Sequence, residues 1–204
     1  MKETFRLCFV LTVIAAACAA LMAFVDAKTR EPIEKNAGGA KLDAVSGVLP
    51  PSDNDVASDT LVLNDGARDV VFYRGRSRGV AVGAAFTIVS PSGYSGDIEI
   101  LVGVDTAGVV TGLKILKHLE TPGLGSKIET PEFSGQYLGK SLRDPETWAV
   151  VKDGGTFKQL TGATISSRAV TSAVAAGLEF FGAHRAEIFG GATTEGAAET
   201  RGGK

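Results

Sequence analysis

Past Val25 this chain contains no cysteine. Both of its cysteines, Cys8 and Cys18, lie in an apolar N-terminal run. The rest of the chain therefore cannot build a thiolate iron–sulfur cluster, a zinc–cysteine site or an internal disulfide. A cysteine-free segment of this length suits an oxidising compartment. Histidine is almost as scarce. His118 and His184 stand in unrelated contexts, which argues against a bis-histidine haem and against a His-based catalytic triad. No Walker loop or strand-following Gly-x-Gly-x-x-Gly occurs. Nor is there a surplus of basic charge: 21 Lys and Arg face 23 Asp and Glu, for a net charge of −2. That balance argues against nucleic acid as a partner, because a protein that neutralises phosphates needs a basic excess.

What is present begins with an uncharged segment. Leu7 to Val25 carries no charged residue, and Thr12 is its only plainly polar member. As a helix it would span about 28 Å, close to the ~30 Å hydrocarbon core of a bilayer. A cleaved signal peptide needs a shorter apolar core, although the alanines between Ala15 and Ala20 resemble a cleavage region. A lipoprotein site at Cys18 would want a larger aliphatic residue where Ala15 stands. A retained single-pass anchor is the best reading. Lys2 and Arg6 precede the segment, and Lys28, Arg30 and Lys35 follow it, so the positive-inside rule does not set its orientation.

From Asp26 to about Leu49 the chain is mixed and polar, a lead-in helix or linker. Leu49-Pro50-Pro51-Ser52-Asp53-Asn54-Asp55 is a break rich in turn residues. Strands are expected at Asp69–Tyr73, Gly79–Val89, Asp97–Val104 and Val109–His118, the last two joined by the hairpin signal Asp105-Thr106-Ala107-Gly108. A second hairpin is expected where Trp148–Lys152 and Thr156–Leu160 flank Asp153-Gly154-Gly155. Between Ile165 and Phe181 apolar residues fall at helical spacing, with Ser166 or Ser167 available as a cap. The tail after Phe189 is small and polar and cannot order itself by burial. The fold class is α+β, one domain of antiparallel strands and packed helices behind the anchor.

Two short motifs carry the chemistry. Thr161-Gly162-Ala163-Thr164 puts a hydroxyl after two residues with almost no side chain, just ahead of a helix. A bulky group can reach Thr164 there, and the amides of the helix start favour a phosphate. The plain alternative is a small-residue turn capped by Thr or Ser. Glu120-Thr121-Pro122-Gly123-Leu124-Gly125 combines an extended residue before proline with a type II turn signal. It is either a simple connection or a rigid loop whose backbone and Thr121 hydroxyl meet a planar ring. Tyr94, in Gly93-Tyr94-Ser95-Gly96-Asp97-Ile98, either stacks on such a ring or covers a sheet. Trp148, Phe133 and Tyr137 read as core, and Lys127 and Arg168 as solvated cations.

The order of these segments resembles the FMN-binding G subunit of the Rnf electron transport complex. The match runs from the anchor through Gly-Tyr-Ser-Gly-Asp-Ile, then His118-Leu119-Glu120-Thr121-Pro122-Gly123-Leu124-Gly125, then Thr-Gly-Ala-Thr-Ile-Ser-Ser. A related family is the C subunit of the sodium-translocating NADH:quinone reductase. Its longer chain makes it the second choice for these 204 residues. The resemblance implies one FMN per chain, joined to Thr164 by a phosphoester. Thr161, Gly162, Ala163, Glu120, Thr121, Gly123 and Leu124 would be further cofactor-binding residues. It also implies a flavin transferase for maturation, the other membrane and peripheral Rnf subunits as partners, and an inner-membrane location with the flavin domain in the periplasm. The expected organisation is a cytoplasmic end at 1–6, a transmembrane helix at 7–25, a lead-in at 26–69, the FMN-binding domain at 70–189 and a disordered tail at 190–204. One departure is visible: the position six before the acceptor threonine, often acidic in the attachment motif, is Lys158. A cofactor-free, membrane-anchored binding module is the alternative from another class.

Overall fold

A computed structural model describes residues 2–66, 68–145 and 147–190. The tail expected to be disordered lies, from residue 191 on, outside the described residues. The chain separates into two compact units, Met1–Lys41 and Leu42–Lys204. The first is the greater part of helix α1 (Lys2–Val48). Its stretch Thr4–Thr29 is long and apolar enough to cross a membrane. Phe5, Leu11, Met22 and Phe24 are exposed along it, the arrangement of a helix whose apolar surface the protein itself does not cover.

The second unit is built on a five-stranded antiparallel meander: β1 (Thr60–Asn64), β2 (Asp69–Ser77), β3 (Val80–Ser90), β4 (Ile98–Asp105) and β5 (Val110–Lys117), in that spatial order. Alternation sorts its side chains. Phe72, Ala84, Phe86, Ile100, Val102 and Val104 join a core with Val170, Val174, Leu178 and Phe181 of helix α3 (Thr164–Gly190). Phe86 stacks on Phe181 with ring centroids 6.2 Å apart. The intervening positions Ala85 and Leu101 form a second buried cluster with Ala44, Val45, Val48 and Leu49. The end of α1 thus lies on the sheet face opposite α3. Glycines make room for it: a Cβ on Gly103 would fall 2.1 Å from the Val48 carbonyl oxygen, and one on Gly112 would fall 2.5 Å from Val48 Cα. Thr111 Oγ1 donates to that same Val48 carbonyl at 2.6 Å, which satisfies one orphan acceptor of the helix end.

After β5 come a 3₁₀ turn (Gly125–Glu129) and the short helix α2 (Pro131–Ser134). Tyr137, Phe157 and Trp148 stack as an aromatic group beside Phe133. Burial pushes the Tyr137 hydroxyl well above its ordinary pKa, and its hydrogen bond with Thr171 pulls the other way. Phenol and α3 are thereby tied together, so the chain that leads into α3 rests on the main core.

Three local expectations change. The segment 26–69 contains strand β1, whose Leu61 and Leu63 pack on the core. The residues 148–160 do not form a hairpin. Val151–Asp153 is a 3₁₀ turn closed by Gly154 at φ +82°, and Val150 bridges Phe157 in parallel. The reason is burial: both Trp148 and Phe157 pack on Tyr137, which a flat two-stranded ribbon would not allow. Ser166 and Ser167 lie inside α3 rather than capping it.

Candidate functional site

Three segments meet around the start of α3. They are the loop after β3 (Tyr94, Ser95), the loop after β5 (Glu120–Gly125) and the turn and first helical residues Gly162–Ser166. With Lys152 they line a cleft of about 630 Å³, within the range of small-molecule and cofactor sites.

Thr164 is the first residue of α3, half-buried, and lines this cleft. Among the described residues its hydroxyl has no hydrogen-bond partner. The turn that delivers it depends on Gly162, held at φ +80°, where an L side chain is strained. Ala163 is buried behind Thr164, and its amide donates to the Leu160 carbonyl at 3.1 Å. Thr161 is exposed and opens instead onto a neighbouring groove with Lys127, Lys140 and Lys158.

The loop after β5 is a type II turn. Leu124 N donates to the Thr121 carbonyl at 3.2 Å, and Gly123 has φ +76°. Thr121 and Leu124 line the cleft, while the Gly123 amide turns to Ser126 Oγ at 2.9 Å and Gly123 does not line it. Glu120 is 4% exposed. Its Oε1 accepts from the Tyr94 amide at 2.8 Å and from the Ser95 amide at 3.3 Å. Its Oε2 accepts from the Ser166 hydroxyl. Gly125 is packed against this carboxylate: a Cβ there would stand 2.6 Å from Oε2.

The remaining candidates sort by location. Tyr94, 67% exposed, lines the cleft with Leu124 and Ile165. Arg168 is committed to Asp153, donating from Nε at 2.6 Å and from a terminal nitrogen at 2.7 Å. Lys127 faces the neighbouring groove. Reasoning from sequence missed Lys152 and Ile165 as lining residues and read Ser166 only as a cap. Ile165 and Ser166 adjoin Thr164 in the chain, but nothing local marks Lys152, which reaches the cleft only because the 151–153 turn folds beside α3.

These residues fit FMN. The first amides of α3 lack intrahelical acceptors and, with the helix dipole, favour a phosphate. The uncommitted Thr164 hydroxyl stands at that point. The apolar surface of Tyr94, Leu124 and Ile165 suits a planar ring, and the small residues Gly162 and Ala163 leave the approach open.

Residues 93–179 match the FMN-binding domain family, so the chain carries an FMN-binding domain that spans all three segments of the cleft. It is 38% identical over 190 residues to the G subunit of the ion-translocating oxidoreductase complex of Aliivibrio fischeri strain MJ11, covering 88% of this chain and 90% of that one. It is 35% identical over 190 residues to the Shewanella oneidensis protein of the same name, with the same coverage of 88% and 90%. The Cereibacter sphaeroides G subunit (strain ATCC 17023) is 38% identical over 176 residues, 83% of this chain and 80% of that one. This chain belongs to the family of G subunits of ion-translocating oxidoreductase complexes. Its fold is shared with the C subunit of the Na(+)-translocating NADH-quinone reductase from Parabacteroides distasonis, at a TM-score of 0.50 and 21% identity over 67% of this chain and 71% of that one. It is shared also with NqrC from Shewanella oneidensis, at a TM-score of 0.51 and 21% identity over 69% of each.

Proposed function

We propose that this chain is the flavin-bearing electron carrier of an ion-translocating ferredoxin:NAD oxidoreductase complex of the Rnf type. One FMN is held in the cleft through a phosphoester to Thr164. When bound, FMN supplies the one-electron redox chemistry. Thr164 tethers the group, the first-turn amides of α3 bind its phosphate, and Tyr94, Leu124 and Ile165 shield its ring from water. Thr121 offers a hydroxyl toward the ring. No proton-transferring dyad is needed for electron transfer alone. The chain acts as a subunit without stand-alone turnover, exchanging electrons with its membrane and peripheral partners. A flavin transferase carries out its maturation, and α1 anchors it in the inner membrane with the flavin domain in the periplasm.

The observation that carries this reading is the uncommitted Thr164 hydroxyl at the helix start, in a cleft whose lining includes the small residues Gly162 and Ala163 and the apolar Leu124 and Ile165. Identities of 35–38% across most of both chains favour the Rnf-type protein over the quinone-reductase one, whose structures share only the fold. The test is expression of the full chain with a flavin transferase, followed by denaturing electrophoresis under ultraviolet light and intact mass. A fluorescent band carrying one FMN is expected for the wild type, and none for Thr164→Ala. A band that persists in the variant moves the attachment elsewhere. No band in the fully matured wild type returns the cofactor-free binding module.

A further inference from the structure

We infer that Glu120 is a positioning residue: its buried carboxylate is the joint on which the three segments around Thr164 are assembled, so that it sets how a ring tethered at Thr164 is held. The inference rests on the reading of Thr164 as the FMN attachment site.

Glu120 begins one of the three segments and is bonded to both of the others. Its Oε1 takes the amides of Tyr94 and Ser95. Its Oε2 takes the hydroxyl of Ser166, two residues after Thr164 in the same helical turn. Its own amide donates to His118 Nδ1 at 3.0 Å, and His118 Nε2 lies 3.0 Å from Glu129 Oε1, which fixes the strand end from which it projects. Three donors converge on the side chain, and a carboxylate, which accepts at both oxygens, can take all of them. Such charge-assisted bonds are stronger than neutral ones, and 4% exposure keeps water from replacing them. Gly125 closes the arrangement, because a side chain there would strike both Glu120 Oε2 at 2.6 Å and Ser166 Oγ at 2.9 Å. Without the carboxylate, nothing among the described side-chain hydrogen bonds links the 94–95 backbone to α3. The same charge at the helix start opposes electron uptake by an attached flavin, since a reduced anionic ring is disfavoured beside a negative group.

The test compares Glu120→Gln, Glu120→Ala and Ser166→Ala in the full chain. Gln keeps the length and one acceptor oxygen for the two amides but loses the charge. With FMN attached, Glu120→Gln should retain the flavin's induced circular dichroism while its midpoint potential rises. Glu120→Ala and Ser166→Ala should keep the fluorescent band after denaturation yet lose at least half of that dichroism, with native flavin anisotropy falling toward the denatured value. A second readout needs no flavin. In the Thr164→Ala background, exchange of the Tyr94 and Ser95 amides should quicken at least tenfold on Glu120→Ala and much less on Glu120→Gln. If Glu120→Ala does not fold, Ser166→Ala carries the flavin arm and Glu120→Gln the exchange and potential arms. Wild-type dichroism and anisotropy in Ser166→Ala, together with an unmoved potential in Glu120→Gln, would overturn the inference. So would unchanged exchange in Glu120→Ala. Failure of the Thr164 reading shows differently, as a missing or displaced fluorescent band with the exchange result intact.

Discussion

Ser167 locks the turn before Thr164 to Leu160. The Leu160 amide donates to Ser167 Oγ at 3.0 Å, and that hydroxyl donates to the Ala163 carbonyl at 2.9 Å. The residues between them are Thr161, Gly162 and Ala163, so one buried hydroxyl closes the turn that presents Thr164. Ser167→Ala leaves the Leu160 amide without its acceptor, a loss of about 1–3 kcal/mol. Urea unfolding should show that loss, and flavin loading per chain should fall. Unchanged stability and loading would mean that the turn holds without the clamp.

The docking of α1's end on the sheet predicts a sharp contrast between glycines. Gly112→Ala drives a methyl into Val48, 2.5 Å from its Cα. Overpacking of this kind costs about 1–3 kcal/mol or more. Gly135→Ala meets nothing within 4 Å and sits at φ −64°. It should be neutral or stabilise by about 0.4–1 kcal/mol through the unfolded chain. Equal effects of the two in a denaturant titration would contradict this packing.

The loop after β5 spends its Thr121 carbonyl internally, on the amides of Leu124 and Ser126. What it offers the cleft from that residue is the Thr121 hydroxyl. Thr121→Val should leave attachment at Thr164 intact and shift the midpoint potential, since one hydrogen bond to a charged group is worth roughly 1.5–3 kcal/mol. Redox titrations at equal flavin content check this. Superimposable curves with unchanged turnover in the assembled complex would make the loop a turn and no more.

The Asp153–Arg168 pair predicts a pH dependence. The hydrogen bond from Arg168, aided by the charges of Arg168 and Lys152, holds the Asp153 carboxyl below its usual value, and desolvation opposes this. A carboxyl depressed in the folded state contributes stability above its unfolded pKa of about 3.9 and loses it as pH falls through the folded value. The pair is exposed, so the effect is small and screened by salt. The melting-temperature gap between wild type and Arg168→Met should be present at neutral pH and low salt, and should close in acid or in high salt. A gap that ignores both conditions would assign Arg168 another role.

The anchor is expected to stay uncleaved, with residues after Asp26 outside the cytoplasm. Protease added to spheroplasts should then digest the domain while the anchor remains in the membrane. Digestion only in inverted vesicles would reverse the orientation.

Much of this was legible locally. The charge-free run of α1 needed only hydropathy. β4 and β5 needed only two strand-like runs around the Asp105–Gly108 turn signal, and the period marked α3 as far as Phe181, short of its end at Gly190. The type II turn at Thr121–Leu124 follows from Pro122-Gly123, because proline sets φ and glycine tolerates its positive value. Less was visible where partners are far apart in the chain. β1 is a short run whose pairing with β2 depends on the core that Leu61 and Leu63 reach. The expected hairpin at 148–160 yielded to an aromatic stack that no local signal announces.

The site divides along the same line. The sequence by itself determined the candidate acceptor Thr164, its small neighbours and the loop that begins at Glu120, because those depend on residue type and spacing within a few positions. Only the tertiary structure decided that Thr161 and Gly123 turn away from the cleft while Lys152, Ile165 and Ser166 line it. It alone decided that Glu120 spends its carboxylate on the Tyr94 and Ser95 amides, 26 and 25 residues before it, and on Ser166, 46 residues after it. A buried carboxylate takes whatever donors the fold brings to it, and sheet register and helix placement, not local sequence, determine which those are.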